Sequence, residues 1–69
     1  MKRYIYKAEF RAYDRETIHY WEYDEPVDFA IIENRILTIC NTAVIKRIVE
    51  GCIRRGTVKE QRYKNNKIL

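Results

Sequence analysis

Glycine occurs twice, proline once, histidine once and cysteine twice in this 69-residue chain, and each scarcity removes a class of protein. So little glycine and proline marks a folding composition and not that of a disordered tail. Two cysteines cannot form the multi-bridge framework that staples small secreted domains. Cys40, Cys52 and His19 offer three soft ligands where a structural zinc takes four, and the cysteines lack CxxC spacing, so no metal and no cofactor are expected. No apolar run approaches the roughly 20 residues that span a bilayer. The opening residues, Met1 to Lys7, lack the apolar stretch of a signal peptide. The expectation is a soluble, cytoplasmic protein with reduced thiols and no membrane partner.

Catalytic signatures are equally sparse. There is no glycine-rich phosphate loop, GxSxG turn or HExxH helix. Asp24, Glu25 and Asp28 cluster, but helix capping explains them without acid-base chemistry. Both cysteines fall on apolar stripes and read as small buried hydrophobes, and His19 reads as structural. The chain is not expected to be an enzyme.

What is present is a folding composition, 46% hydrophobic and 35% charged, with nine aromatic residues. A chain this short buries only about 60% of the surface its unfolded state exposes, so a homodimer is the expected staple. Charge is distributed unevenly. Residues 1–33 carry five basic and eight acidic side chains, and residues 34–69 carry nine basic and two acidic, a bipolar molecule of net charge +4. Bipolarity suits a protein partner or a self-complementary assembly at least as well as nucleic acid.

Along the chain, residues 3–13 alternate, with Tyr4, Tyr6, Ala8, Phe10 and Ala12 apolar, which predicts a half-buried strand. Thr17 to Tyr23 is rich in β-branched and aromatic residues and predicts the second strand of a hairpin. A three-residue loop, Asp14 to Glu16, pairs Phe10 with Tyr20 and exposes Trp21. A four-residue loop that includes Thr17 turns strand 2 over and buries His19, Trp21 and Tyr23, and this register is favoured because it makes the more apolar face.

Asp24-Glu25-Pro26 reads as a helix start, with the helix running from about Val27. Phe29, Ile32, Ile36, Cys40 and Ala43 share a stripe about 80° wide, and Val44, Ile45, Ile48, Val49 and Cys52 form a second stripe about 130° around the axis. A break near Asn41-Thr42 therefore predicts two helices, the second ending near Cys52 to Arg55. A third strand at 35–40 is the rival reading. The expected fold class is α+β: an N-terminal antiparallel hairpin, then one long broken helix or two consecutive helices, with a short C-terminal edge strand over Thr57 to Tyr63. Residues 1–63 form the domain, and residues 64–69 a basic tail.

Two surfaces are candidates for function. Lys7, Arg11, Trp21 and Tyr23 share an open face in the three-residue register and would suit a protein partner. Lys46, Arg47, Arg54 and Arg55, with Lys64 and Lys67, would suit phosphate contact in a nucleic-acid binder of helix-turn-helix type. The primary expectation is a small regulatory or inhibitory protein that binds a larger protein, of the sort often encoded by phages and mobile elements. Nucleic acid is the alternative partner.

Overall fold

The computed structural model describes residues 3–64. The chain runs β1 (Tyr4–Ala12), β2 (Arg15–Tyr23), α1 (Phe29–Ile39), β3 (Val44–Cys52) and β4 (Gly56–Arg62). The four strands form one sheet in the order β2-β1-β3-β4, and every neighbouring pair is antiparallel.

β1 is the centre of the sheet, and its alternation is read out as expected. Tyr6, Ala8, Phe10 and Ala12 are buried and join Ile32 and Ile36 of α1, Cys40 and Ile48 in one apolar cluster. α1 covers that face, so the odd-numbered side chains of β1 point to the other, which is open among the described residues.

The hairpin is tighter than either loop expected from sequence. Tyr13 and Asp14 form a two-residue turn with φ of 54° and 62°, the two positive values that a type I′ turn requires. Phe10 lies opposite Thr17 and Tyr6 opposite Trp21. Trp21 and Tyr23 therefore share the helix side with Tyr6, as in the favoured register, but their partners lie four residues nearer the start of β1. A turn of this type usually carries Asn-Gly. Tyrosine is held here because its hydroxyl donates to the carbonyl of Ile39, 3.1 Å away. Asp14 is exposed and in the left-handed region, so Asp14→Gly is expected to stabilise the fold by up to about 1 kcal/mol, read as a higher urea midpoint.

α1 begins later than expected. Asp28 is its N-cap without a side-chain cap bond, and Val27 lies outside the helix, its N–H donating to the Tyr6 hydroxyl at 2.8 Å. The stripe of Phe29, Ile32 and Ile36 faces the sheet as expected, with Ile32 and Ile36 fully buried. Residues 35–39 are helical, so the rival strand at 35–40 is not formed.

The second helix is overturned. Asn41 and Thr42 do break the first helix, but the chain then enters β3. The reason for the misreading lies in a β-bulge. Glu9 pairs with Arg47 and Phe10 with Ile45, which leaves Lys46 as an extra residue. Ile45 and Ile48 therefore face the same side although three residues apart, which imitates helical spacing. Beyond the bulge Ile48, Glu50 and Cys52 alternate inward. Glu50 is thereby buried, at 3% exposure.

The C-terminal edge strand is present as β4, and every one of its residues is exposed. Tyr63 just beyond it donates to the carboxylate of Glu33 on α1, tying the sheet's edge to the helix. Lys64 is exposed, and the rest of the expected tail, 65–69 with Lys67, lies outside the described residues. No helix among the described residues is long and apolar enough to cross a membrane.

Candidate interaction surface

The open face of the sheet carries two kinds of side chain. Towards its middle runs a ladder of ion pairs built by cross-strand register. Glu9 of β1 meets Arg47 of β3 and lies 3.7 Å from Lys7. Arg47 continues to Glu60 of β4 at 3.6 Å, and Glu60 to Arg62 at 2.9 Å. Nearer the hairpin turn, Glu16 of β2 accepts from Arg11 at 3.0 Å and from the bulged Lys46 at 2.9 Å.

Lys46, and after it Arg11, hold the Glu16 carboxyl below the usual carboxylate range. The Glu9 carboxylate raises the Arg47 guanidinium in turn. Exposed pairs of this kind are screened by water and contribute little, so the ladder does more to hold side chains in place than to stabilise the fold. Arg47 Nε is buried without a hydrogen-bond partner among the described residues.

Beside the ladder, on edge strand β2, two large apolar side chains stand in water. Ile18 is 55% exposed and Tyr20 57%. They are two residues apart, hence on one face, and lie opposite Glu9 and Lys7 of β1. Neither is needed by the core.

The structure divides the first group of candidates. Lys7 and Arg11 belong to the open face, whereas Trp21 and Tyr23 belong to the helix side. Trp21 lies against His19 with ring centroids 4.4 Å apart, and Tyr23 packs edge-on against Tyr6 at 5.6 Å. The residues that accompany Lys7 and Arg11 are Ile18 and Tyr20. Period-two alternation within Thr17 to Tyr23 was the signal that could have found them, once the two-residue turn was known.

The second group is divided as well, because the segment meant to be a basic helix is a strand. Lys46 and Arg47 lie near one end of β3, and Arg54 and Arg55 lie in the turn after its other end. At about 3.3 Å per residue the two pairs are roughly 25 Å apart. Arg55 approaches the Tyr4 hydroxyl at 3.5 Å. No helix-turn-helix is formed among the described residues.

Both cysteines are free and buried. Cys40 caps α1 at its C-terminus and lies 3.4 Å from the Thr42 hydroxyl, which holds the thiol below its ordinary value. The backbone at Arg54 does the same for Cys52. His19 is exposed on β2, stacked on Trp21. Among the described residues no three His, Cys, Asp or Glu side chains are grouped to hold a metal ion. An open cleft at the hairpin end of the sheet is lined by Arg11, Tyr13, Asp14, Thr42 and Val44.

No family model, curated protein or solved structure matches this chain.

Proposed function

We propose that this chain is a small, non-catalytic regulatory or inhibitory protein that binds a larger protein through the open face of its sheet, centred on Ile18, Tyr20, Lys7 and Arg11. The observation that carries the reading is the exposure of Ile18 and Tyr20 side by side, 55% and 57%, next to cations held in fixed positions by Glu9 and Glu16. Tyrosine and arginine dominate the energetics of protein interfaces, and a central apolar patch with a charged rim is the usual anatomy of such a contact.

The mixed charge of this face favours a protein over nucleic acid. Arg11, Lys46, Arg47 and Arg62 are each already paired with a carboxylate. A phosphate backbone would have to displace those carboxylates, and it would be repelled by Glu9, Glu16 and Glu60. A protein surface can match both signs.

The test compares the wild-type chain with Tyr20→Ala as immobilised bait, and titrates both into labelled oligonucleotides at about 50 and 200 mM salt. The expected result is a retained protein whose affinity falls at least about tenfold with Tyr20→Ala, a loss in the range of interface hot spots, while the melting temperature is unchanged. Equal retention by the variant removes this face from the site. Oligonucleotide binding that is tight and falls by orders of magnitude between the two salts replaces the protein partner with a nucleic acid.

A further inference from the structure

Two strands, β2 and β4, are edges of the sheet, and their charges are opposite. β2 with its flanking loops, residues 14–28, carries six acidic side chains and one basic. β4 with its flanking residues, 53–64, carries five basic and one acidic. The bipolarity of the sequence thus becomes a polarity across the sheet, acidic at one edge and basic at the other.

The β2 edge has charged residues near its ends, Arg15, Glu16 and Glu22, but lacks the other common protections against strand addition. It pairs with β1 through all nine residues without a register shift, and it contains no proline, glycine or lysine. Natural edges are commonly blunted by such residues or by bulges. β4 has a bulge, at Val58, but only towards its Gly56 end, which leaves Lys59 to Arg62 regular.

Strand direction completes the match. β2 and β3 both run antiparallel to β1, and β4 runs antiparallel to β3, so β4 and β2 point in opposite directions. A second copy placed beside the first in the same orientation, helix on the same side, meets it with an antiparallel pair. The register that sets Glu16 opposite Arg62 also sets Asp14 opposite Lys64 and Tyr20 beside Val58, with Ile18 next to Glu60. Pairing two β2 edges, or two β4 edges, would instead bring together edges of like net charge.

We infer that copies of this chain associate head to tail, the β2 edge of one accepting the β4 edge of the next, to continue the antiparallel sheet from molecule to molecule. Such a heterologous contact gives a ring or an open chain rather than a closed dimer. With four strands per copy at about 4.8 Å, each addition advances the sheet by roughly 19 Å, and strand twist turns successive copies about the sheet axis.

Sedimentation velocity on the chain alone, from micromolar to millimolar protein, tests this without any other partner. Species larger than a dimer are expected at about 0.1 M salt, with association at least about tenfold weaker at about 1 M, where the Debye length has fallen from about 10 to about 3 Å. Two charge-reversed variants decide the geometry: Glu16→Lys with Glu22→Lys, which makes the β2 edge basic, and Arg62→Glu with Lys64→Glu, which makes the β4 edge acidic. Each alone should be monomeric, with circular dichroism confirming that each is folded, and an equimolar mixture should assemble. A monomeric wild-type chain throughout the concentration range overturns the inference. So does a β4 variant that associates alone as strongly as wild type, which would assign the contact to two β2 edges, and so does a mixture of two folded variants that stays monomeric.

Discussion

Replacing Ile48 with alanine is expected to lower the free energy of unfolding by about 2 to 5 kcal/mol, the range for deleting a fully buried aliphatic side chain without refilling the space. Ile48 has no exposed surface. It lies opposite Ala8 of β1, in the cluster that also holds Phe10, Ile32 and Ile36. Ala8 is too small to fill the cavity, and Ile32 and Ile36 are fixed by the helix. Small domains have total stabilities near the low end of about 5 to 15 kcal/mol, so the variant should be largely or wholly unfolded at moderate temperature. Ile36→Ala should behave alike from the helix side of the same cluster. Ile18→Ala is the control: its side chain is more than half exposed, and its loss should change stability by no more than about 0.5 kcal/mol. Urea unfolding followed by circular dichroism measures all three. A midpoint for Ile48→Ala equal to that of Ile18→Ala would show that β3 does not supply the core.

The second large effect is expected from the hydroxyl of Tyr6. Tyr6 is fully buried, and its hydroxyl accepts from the Val27 N–H at 2.8 Å while its single proton lies between Glu50 Oε1, at 3.1 Å, and the Val27 carbonyl, at 3.2 Å. One oxygen therefore satisfies the approach to α1 and the buried carboxylate of β3 together. Tyr6→Phe keeps the ring and its edge-on contacts with Tyr23 and Phe29, so packing is conserved and only the bonds are lost. Leaving these groups without their partner should cost about 1 to 3 kcal/mol.

Tyr6 also gives stability a pH dependence whose sign follows from its environment. Burial, aided by the hydrogen bond to Glu50, raises the hydroxyl above the ordinary tyrosine value of 10.0. A folded state that keeps a proton the unfolded state releases is stabilised fully below that value. The contribution is lost as the pH rises through the folded value. Wild-type stability should therefore fall on the alkaline side, and Tyr6→Phe should flatten the fall. Tyr63, raised above its usual value by burial and by Glu33, leaves a residual slope. Unfolding free energies measured from neutral pH to about 11 provide the comparison. Equal slopes for the two proteins would show that the Tyr6 proton is not linked to folding.

Much of this architecture can be read from local pattern. Alternation marks residues 4–12 as a half-buried strand because successive side chains must point to opposite faces. The stripe of Phe29, Ile32 and Ile36 marks a helix because those positions return to one side every 3.6 residues. The charge division between the two halves of the chain is a property of the sequence alone. So is the burial of Cys40 and Cys52 as small apolar groups.

What the tertiary structure decided were the features that depend on a partner strand. The bulge at Lys46 exists only against Glu9 and Phe10 of β1, and by placing Ile45 and Ile48 on one side it made a strand look like a helix. Glu50 became a core residue only because Tyr6 stood opposite it, since a lone carboxylate in a strand pattern gives no sign of a partner 44 residues away. The hairpin turn at Tyr13 and Asp14 has no glycine to announce it, and its register was settled by pairing along all nine residues of both strands. That register separated Trp21 and Tyr23 from Lys7 and Arg11, and put Ile18 and Tyr20 in their place. Local propensity is carried by neighbours in the chain, whereas register is set by which side chains meet across strands, and that depends on contacts between residues distant in sequence.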